Sequence, residues 1–303
     1  DYCPAHPAVV LGHHFSSIAG AGPIVGPITA ASIFGWLPTM MWCVFGSLFL
    51  GGPHDMGSLV SSMRHDGKSV GTVIERWIGE TGKKLFLGFT ILSLILVVAV
   101  FLVLTTATFV TDPVVAFVGC MYILLAMISG VLIYRFNMNF KIVTIFMLAI
   151  IAVCSVKGGD WPFVAAMFTH SADQWNIFLG IYILAASVLP VWLLLQPRDY
   201  LASFFLYFAV GIGAIGMLFG AKMDSGAIPM IADNVKYFGL SKLHLWPMLF
   251  VIVACGAISG FHSLVGSGTT SKQLCHERDS LPVGYGAMLL EGLVAVIAIG
   301  TLM

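Results

Sequence analysis

Charge is what this sequence has least of. Only 9% of its 303 residues are Asp, Glu, Lys or Arg, against 59% hydrophobic residues and a mean hydropathy of +0.98. A soluble domain carries about 25% charged residues, because it faces water on every side. That scarcity excludes a water-soluble globular protein. The 14 basic and 14 acidic residues cancel, so there is no electrostatic footprint for nucleic acid. Also missing is any CxxC pair among the six cysteines. Cys43, Cys120, Cys154 and Cys255 fall in apolar runs, where a thiol packs as a small hydrophobe. No disulfide framework, metal or cofactor is expected, and Cys3 with His6 and Cys275 with His276 read as chance neighbours. No ring of charge or repeated filter marks a channel. No basic leader with a cleavage site precedes the first apolar run, and the chain opens on Asp1 and stops within another run at Met303. An interior piece of a longer protein is therefore expected.

What the sequence has in abundance is apolar runs of spanning length. A helix needs about 20 apolar residues to cross the hydrocarbon layer. Nine stretches qualify or nearly so, at about 8–34, 36–57, 84–109, 112–134, 139–156, 175–196, 199–219, 245–266 and 284–303. The expected fold is an all-α polytopic membrane bundle, a single transmembrane domain over 1–303 in contact with the lipid bilayer.

All 14 Lys and Arg residues fall between these spans or at their ends, where a cation avoids the cost of lipid. With the Asp1 end inside, the inner loops hold ten of them: Arg64, Lys68, Arg76, Lys83, Lys84, Arg135, Lys141, Arg198, Lys272 and Arg278. The outer loops hold Lys157, Lys222, Lys236 and Lys242, so the positive-inside bias places the Asp1 end in the cytoplasm. Residues 58–83, with Trp77 and Ile78 among charges, read as a cytoplasmic amphipathic connector, and 220–244 as an extracytoplasmic loop.

Span 1 crowds Gly20, Gly22, Pro23, Gly26 and Pro27 into its middle. Proline removes a backbone donor and glycine adds freedom, so backbone groups near Ala21 lose their helical partners. Such groups are tolerated at membrane depth where protein or a watery cavity satisfies them. Span 6 carries a second interruption at Ser187, Val188, Leu189 and Pro190. If the bundle is two inverted repeats of five helices, spans 1 and 6 are equivalent, and paired breaks point to a substrate site. Ser17, Gly20, Ala21, Gly22, Ser187, Val188 and Pro190 are the substrate-binding candidates. Span 8 and its exit replace leucine with small and hydroxyl residues, among them Ser263, Ser267, Thr269, Thr270 and Ser271, whose oxygens suit a small cation or a substrate carboxylate.

Among the acids, Asp55 and Glu291 lie in or at the edge of spans, with His13, His14, His54 and His262 at similar depth. Buried carboxyl and imidazole groups can take and release protons near neutral pH. His13, His14, Asp55, His262, Ser267, Thr269 and Thr270 are the ion-coupling candidates, for a proton or sodium ion. Asp55 also reads as a cap closing span 2, and His13 and His14, about 100° apart on a helix, cannot both face one cavity squarely. Glu291 has no evident cationic partner in the sequence and is either protonated or paired with a distant group.

Several long stretches carry a resemblance. GHHFSSIAGAGPIVGP at 12–27, GGPHDMGSL and RHDGKSVG near 51–71, SVLPVWLLLQPRDYL at 187–201 and ACGAISGFHSLVGSGTTSKQL at 254–274 resemble the carbon starvation protein A family of peptide and pyruvate transporters. The match runs in order over nearly the whole chain. The resemblance implies a bacterial or archaeal inner-membrane protein, induced when carbon is short, that takes up peptides or pyruvate with protons. It also implies the amino acid, polyamine and organocation transporter superfamily and its five-plus-five inverted repeat with broken spans 1 and 6. Family members normally have more helices at both ends, so the absent tenth core helix is a departure. The expectation is a secondary transporter and not an enzyme. The alternatives are a nutrient sensor without net transport, and a membrane-embedded redox or hydrolytic enzyme with His13, His14 and His262 as haem or metal ligands.

Overall fold

A computed structural model describes residue 2, residues 4–190, 192–220, 228–232, 236–239 and 244–302. Asp1, Cys3, Lys222, Lys242 and much of the expected 220–244 loop lie outside the described residues. The described chain is helical, apart from a three-residue strand, Lys236–Phe238. It is a multi-pass helical membrane protein. Among the described residues, five helices are long and apolar enough to cross a membrane: Glu80–Thr111, Pro113–Tyr134, Phe140–Asp160, Leu195–Phe219 and Glu277–Gly300. The pair Pro7–Ile18 and Gly22–Phe34, bent by 44°, makes a sixth if taken as one span.

This is fewer than the nine apolar runs, because hydropathy measures apolar length and not helical continuity. The run at 36–57 is helical but interrupted, with α3 (Trp36–Gly46), a π-helical stretch (Ser47–Gly51) and α4 (Gly52–Met63). The run at 175–196 holds a helix, α10 (Ala172–Val188), of 17 residues. The run at 245–266 is broken into α12 (Leu245–Ile252), α13 (Ala254–Ala257) and α14 (Gly260–Gly268).

The chain divides into two compact units, residues 1–83 with 202–303, and residues 84–201. In the first, α1 (Pro7–Ile18) opens on His6, whose ring accepts the Ala8 amide and caps the helix. α2 (Gly22–Phe34) ends at Gly35, whose φ of 95° is a left-handed conformation that glycine adopts without strain. The segment about Pro229–Ala232 straps this corner: Leu37 donates its amide to the Met230 carbonyl at 3.1 Å and Ala232 to that of Phe34 at 3.1 Å. One core joins Ala30, Ala31 and Phe34 of α2 to Cys43, Leu249, Val253 and, on α15 (Ala287–Gly300), Ala295 and Ile299. Another packs Phe15, Ile18 and Ala19 on Ala287. Small residues set the spacing. A Cβ on Gly26 would lie 2.6 Å from the Ile252 carbonyl oxygen, and one on Gly292 would lie 2.5 Å from Ser47 Oγ. This is the close backbone approach that drives helix association in lipid. Within the 58–83 segment, α4 runs to Met63 and a short helix, α5 (Val70–Ile78), follows. There Lys83 Nζ pairs with Glu75 at 2.6 Å.

The second unit contains most of α6 (Glu80–Thr111), then α7 (Pro113–Tyr134), α8 (Phe140–Lys157), α9 (Pro162–Phe168), α10 and the start of α11 (Leu195–Ile215). Asp112 caps α7 and Asn139 caps α8, each accepting an amide two residues on. Leu125, Val143, Met147, Ile151 and Leu201 form its core, and Phe117 packs edge-on against Trp161, Phe163 and Phe168. α6 buries only Thr106, so its apolar length is left to lipid or to other chain segments.

Candidate functional site

The crowded glycines and prolines of span 1 do break the helix. Its i→i−4 ladder stops at Ala19, whose amide reaches Phe15 at 2.9 Å, and resumes at Val25, whose amide reaches Ala21 at 2.9 Å. Between them Gly20 turns back on Ile18 and Pro23 has no amide to give. Among the described residues, the carbonyls of Ser16, Ala19 and Gly20 thus receive no amide from the following turn. Ser17 Oγ donates to the His13 carbonyl at 2.7 Å and steadies the last turn before the gap.

A second break lies in span 8. Ile258 and Ser259 are fully extended, with φ/ψ of −159°/119° and −124°/124°, and α14 starts afresh at Gly260. The two breaks pack together. A Cβ on Gly22 would meet Cys255 Sγ at 2.7 Å, and one on Gly256 would come within 3.6 Å of Pro23 Cα. Two interrupted helices therefore adjoin within the first unit. Of the other substrate candidates, Ser187, Val188 and Pro190 belong to the second unit. There α10 ends at Val188, Ser187 Oγ donates to the Leu184 carbonyl at 2.7 Å, and a turn leads to α11. α10 thus ends within the interruption, and α11 begins at Leu195.

Beside the two breaks lies a fully buried set of ionisable side chains. His262, in the first turn of α14, holds Asp55 Oδ2 with Nδ1 at 2.8 Å, and its Nε2 is 3.2 Å from Glu291 Oε2 on α15. All three side chains are 0% exposed. The Nε2–Glu291 approach lies off the axis of a hydrogen bond, so both atoms are buried without one. The other Asp55 oxygen is 3.0 Å from His54 Nδ1, and the His54 side chain keeps 33% of its surface exposed. Glu291 Oε1 lies 3.9 Å from the Cys255 thiol, itself 3.8 Å from Ser259 Oγ. Among the described residues neither carboxylate is paired with Lys or Arg. Asp55 is thus more than a cap: it faces inward from α4 and holds two imidazoles.

The remaining coupling candidates divide. His14 Nδ1 meets Thr270 Oγ1 at 2.9 Å, both 0% exposed, while its Nε2 is buried without a hydrogen bond among the described residues. His13 is buried beside it. Ser267 Oγ accepts the Val70 amide at 3.3 Å, and Ser62 Oγ donates within a knot formed with the Ser267 and Lys68 carbonyls and Ser271 Oγ. These hydroxyls fasten α14 to α4 and to the start of α5. Thr269 closes α14 as its C-terminal cap residue and is half-buried. Replacing Thr270 with Val strands a buried imidazole nitrogen, at a cost of about 1–3 kcal/mol. Thermal unfolding in detergent should show that loss.

Cys255, His262 and Glu291 offer ligand atoms within 4.8 Å of one another, the one such group among the described residues with metal-ligand chemistry. His262 Nε2 and Glu291 Oε2 instead face each other at 3.2 Å, a separation that a small rotation turns into a hydrogen bond. His13, His14 and His262 do not form such a group among the described residues. His276 lies 3.6 Å from Asp279, and the Cys275 thiol points at the Ala5 carbonyl at 3.7 Å.

The sequence reading missed two features. Nothing between Val253 and Gly268 but small residues hinted that span 8 unwinds, since no proline is present. Asp199 is also only 5% exposed, at the start of α11, with Arg198 Nε on it at 2.7 Å and Arg198 Nη1 on Tyr182 at 3.0 Å. The neighbouring Arg198 was the available signal for this second buried acid–base pair.

A family model described as carbon starvation protein CstA matches residues 1–302. The chain is 38% identical to the peptide transporter CstA of Campylobacter jejuni, over 99% of this chain and 43% of that protein. It is 39% identical to the peptide transporter CstA of Helicobacter pylori, over 99% of this chain and 44% of that one. It is 34% identical to the pyruvate/proton symporter BtsT of Escherichia coli, over 99% of this chain and 42% of the symporter. The chain thus spans less than half the length of these relatives. No solved structure matches it.

Proposed function

Because the chain belongs to the carbon starvation protein CstA family, we propose that it forms part of a secondary transporter that takes up small carboxylated nutrients, peptides or pyruvate, across the inner membrane. The observation that carries this is the meeting of two interrupted helices, at Gly20–Gly22 and Ile258–Ser259, beside a buried Asp55–His262–Glu291 set. The open carbonyls of Ala19 and Gly20 suit a substrate ammonium or an ordered water, and the N-termini of α2 and α14 favour a carboxylate. His14 Nε2, buried without a partner among the described residues, is a further donor for such an anion.

Protons fit the coupling role better than sodium. Of the hydroxyls that could hold sodium after α14 begins, Ser267 is engaged with Val70 and Thr270 with His14. The relative named as a pyruvate/proton symporter supports the same choice. Alternating access through an inverted repeat, with the Asp1 end cytoplasmic, completes the proposal.

Full-length protein in proteoliposomes should take up pyruvate or short peptides faster as external pH falls, with no requirement for sodium. A flat pH response with strict sodium dependence would move the coupling ion to the span 1 carbonyls. Binding of substrate with no flux under any imposed gradient would favour a sensor.

A further inference from the structure

The buried groups do more than cluster; they form a line. His54 is its one member with substantial exposed surface, and from there the contacts run inward without a gap wider than 3.2 Å. His54 Nδ1 is 3.0 Å from Asp55 Oδ1, Asp55 Oδ2 is 2.8 Å from His262 Nδ1, and His262 Nε2 is 3.2 Å from Glu291 Oε2. Beyond Glu291 lies Cys255, against which Gly22 of the broken span packs. The line therefore joins the interrupted helices to a partly exposed imidazole on α4. Imidazole suits the middle position, because it accepts a proton on one nitrogen while giving one up from the other.

We propose that His54, Asp55, His262 and Glu291 form a side-chain relay for the coupling proton, with Glu291 taking it up beside the broken helices and His54 releasing it. This rests on the transport reading above and assigns the coupling within it. Each step breaks one O–H or N–H bond and forms another, and no electrons are exchanged. The Glu291 Oε2 proton passes to His262 Nε2 as the two atoms close into line. The Nδ1 proton of His262 passes to Asp55, which delivers a proton to His54 Nδ1, and His54 loses its Nε2 proton to water. The pass leaves His262 with its hydrogen on Nε2 and His54 with its hydrogen on Nδ1, and each ring returns to its starting tautomer by gaining a proton on the bare nitrogen and losing the other. The facing groups leave this path open: α1 brings His13 and His14, α13 brings the Cys255 thiol, and Thr270 is held by His14. No Lys or Arg among the described residues neutralises either carboxylate. The off-axis Nε2–Oε2 approach is the natural switch, since it needs only a small rotation to conduct.

The test uses full-length protein in proteoliposomes, with radiolabelled pyruvate and a dipeptide as probes. Two readouts are compared: accumulation driven by an inward proton gradient, and exchange of labelled for unlabelled substrate at equal pH. Glu291→Gln should lose driven accumulation and the pH dependence of uptake while still exchanging substrate. Glu291→Asp should recover part of the driven flux. His54→Gln, at the relay's outer end, should slow driven uptake about a hundredfold, the lower end of the range general acid–base groups supply, and leave exchange in place. Accumulation by Glu291→Gln with the parent's pH profile would overturn the relay. So would equal loss of exchange and accumulation in a well-folded Glu291→Gln, which would make the residue a binding or packing group. Should that variant fail to fold, His54→Gln decides by the same pair of readouts. If the parent protein shows neither exchange nor accumulation, the transport reading itself fails.

Discussion

Replacing His262 with alanine will lower proton-driven uptake by about a hundredfold or more, the scale at which a positioned proton-transfer group contributes. It will also destabilise the protein by about 3–5 kcal/mol, the cost of removing one partner from a buried charged set. Both effects follow from one geometry. His262 sits between Asp55 and Glu291 with all three side chains 0% exposed, and without the ring Asp55 loses a buried hydrogen-bond partner and the two carboxyl groups lose the group that separates them. Neutral replacement of the whole set separates the two effects. Asp55→Asn, His262→Gln and Glu291→Gln together should recover most of the stability, because amides of similar shape hydrogen-bond without an uncompensated charge. They should recover none of the driven uptake. Unfolding in detergent and uptake in proteoliposomes, measured on the same preparations, check both halves. Full activity in His262→Ala would remove the site from the mechanism.

The second large effect concerns packing. Valine at Gly26 puts its Cβ 2.6 Å from the Ile252 carbonyl oxygen, and that neighbour is backbone, which cannot swing aside as a side chain would. The expected cost is about 3 kcal/mol, the upper part of the usual range for overpacking. A sharp fall in monodisperse yield and in unfolding temperature should follow. Gly180→Ala on α10 is the control, since nothing lies within 4 Å of the added carbon. It should be neutral or stabilising by about 0.4–1 kcal/mol through the unfolded chain. Equal behaviour of the two variants would mean that α2 and α12 are not pressed together as described.

What could be read from the sequence follows the range of the forces involved. The break in span 1 was legible because its causes are local: Gly20, Gly22 and Pro23 weaken the backbone where they stand. The break in span 8 was not, because Ile258 and Ser259 carry no intrinsic signal and are extended in a tertiary setting against the other interrupted helix. Asp55 and His262 were recognised by depth alone, yet their pairing spans 207 positions and no periodicity reports it. Glu291 appeared unpartnered for the same reason; its neighbour is His262, 3.2 Å away on another helix. Ser267 and Thr270 were read as open ligands because their own partners, Val70 and His14, are also distant in sequence.

The π-helical stretch at Ser47–Gly51 has a consequence for how this region tolerates change in length. It closes on Gly52, whose amide reaches back five residues to Ser47, so the chain carries one residue more per turn there than an ordinary helix. Each α-helical residue advances the azimuth by about 100°. Removing one residue from the stretch would let it settle into a plain helix with α4 left nearly in place, whereas removing one from the α-helical turns of α3 would rotate everything beyond it by that angle. Asp55 would then swing out of line with His262. The number of residues before Asp55, as much as their chemistry, keeps the acid aimed inward.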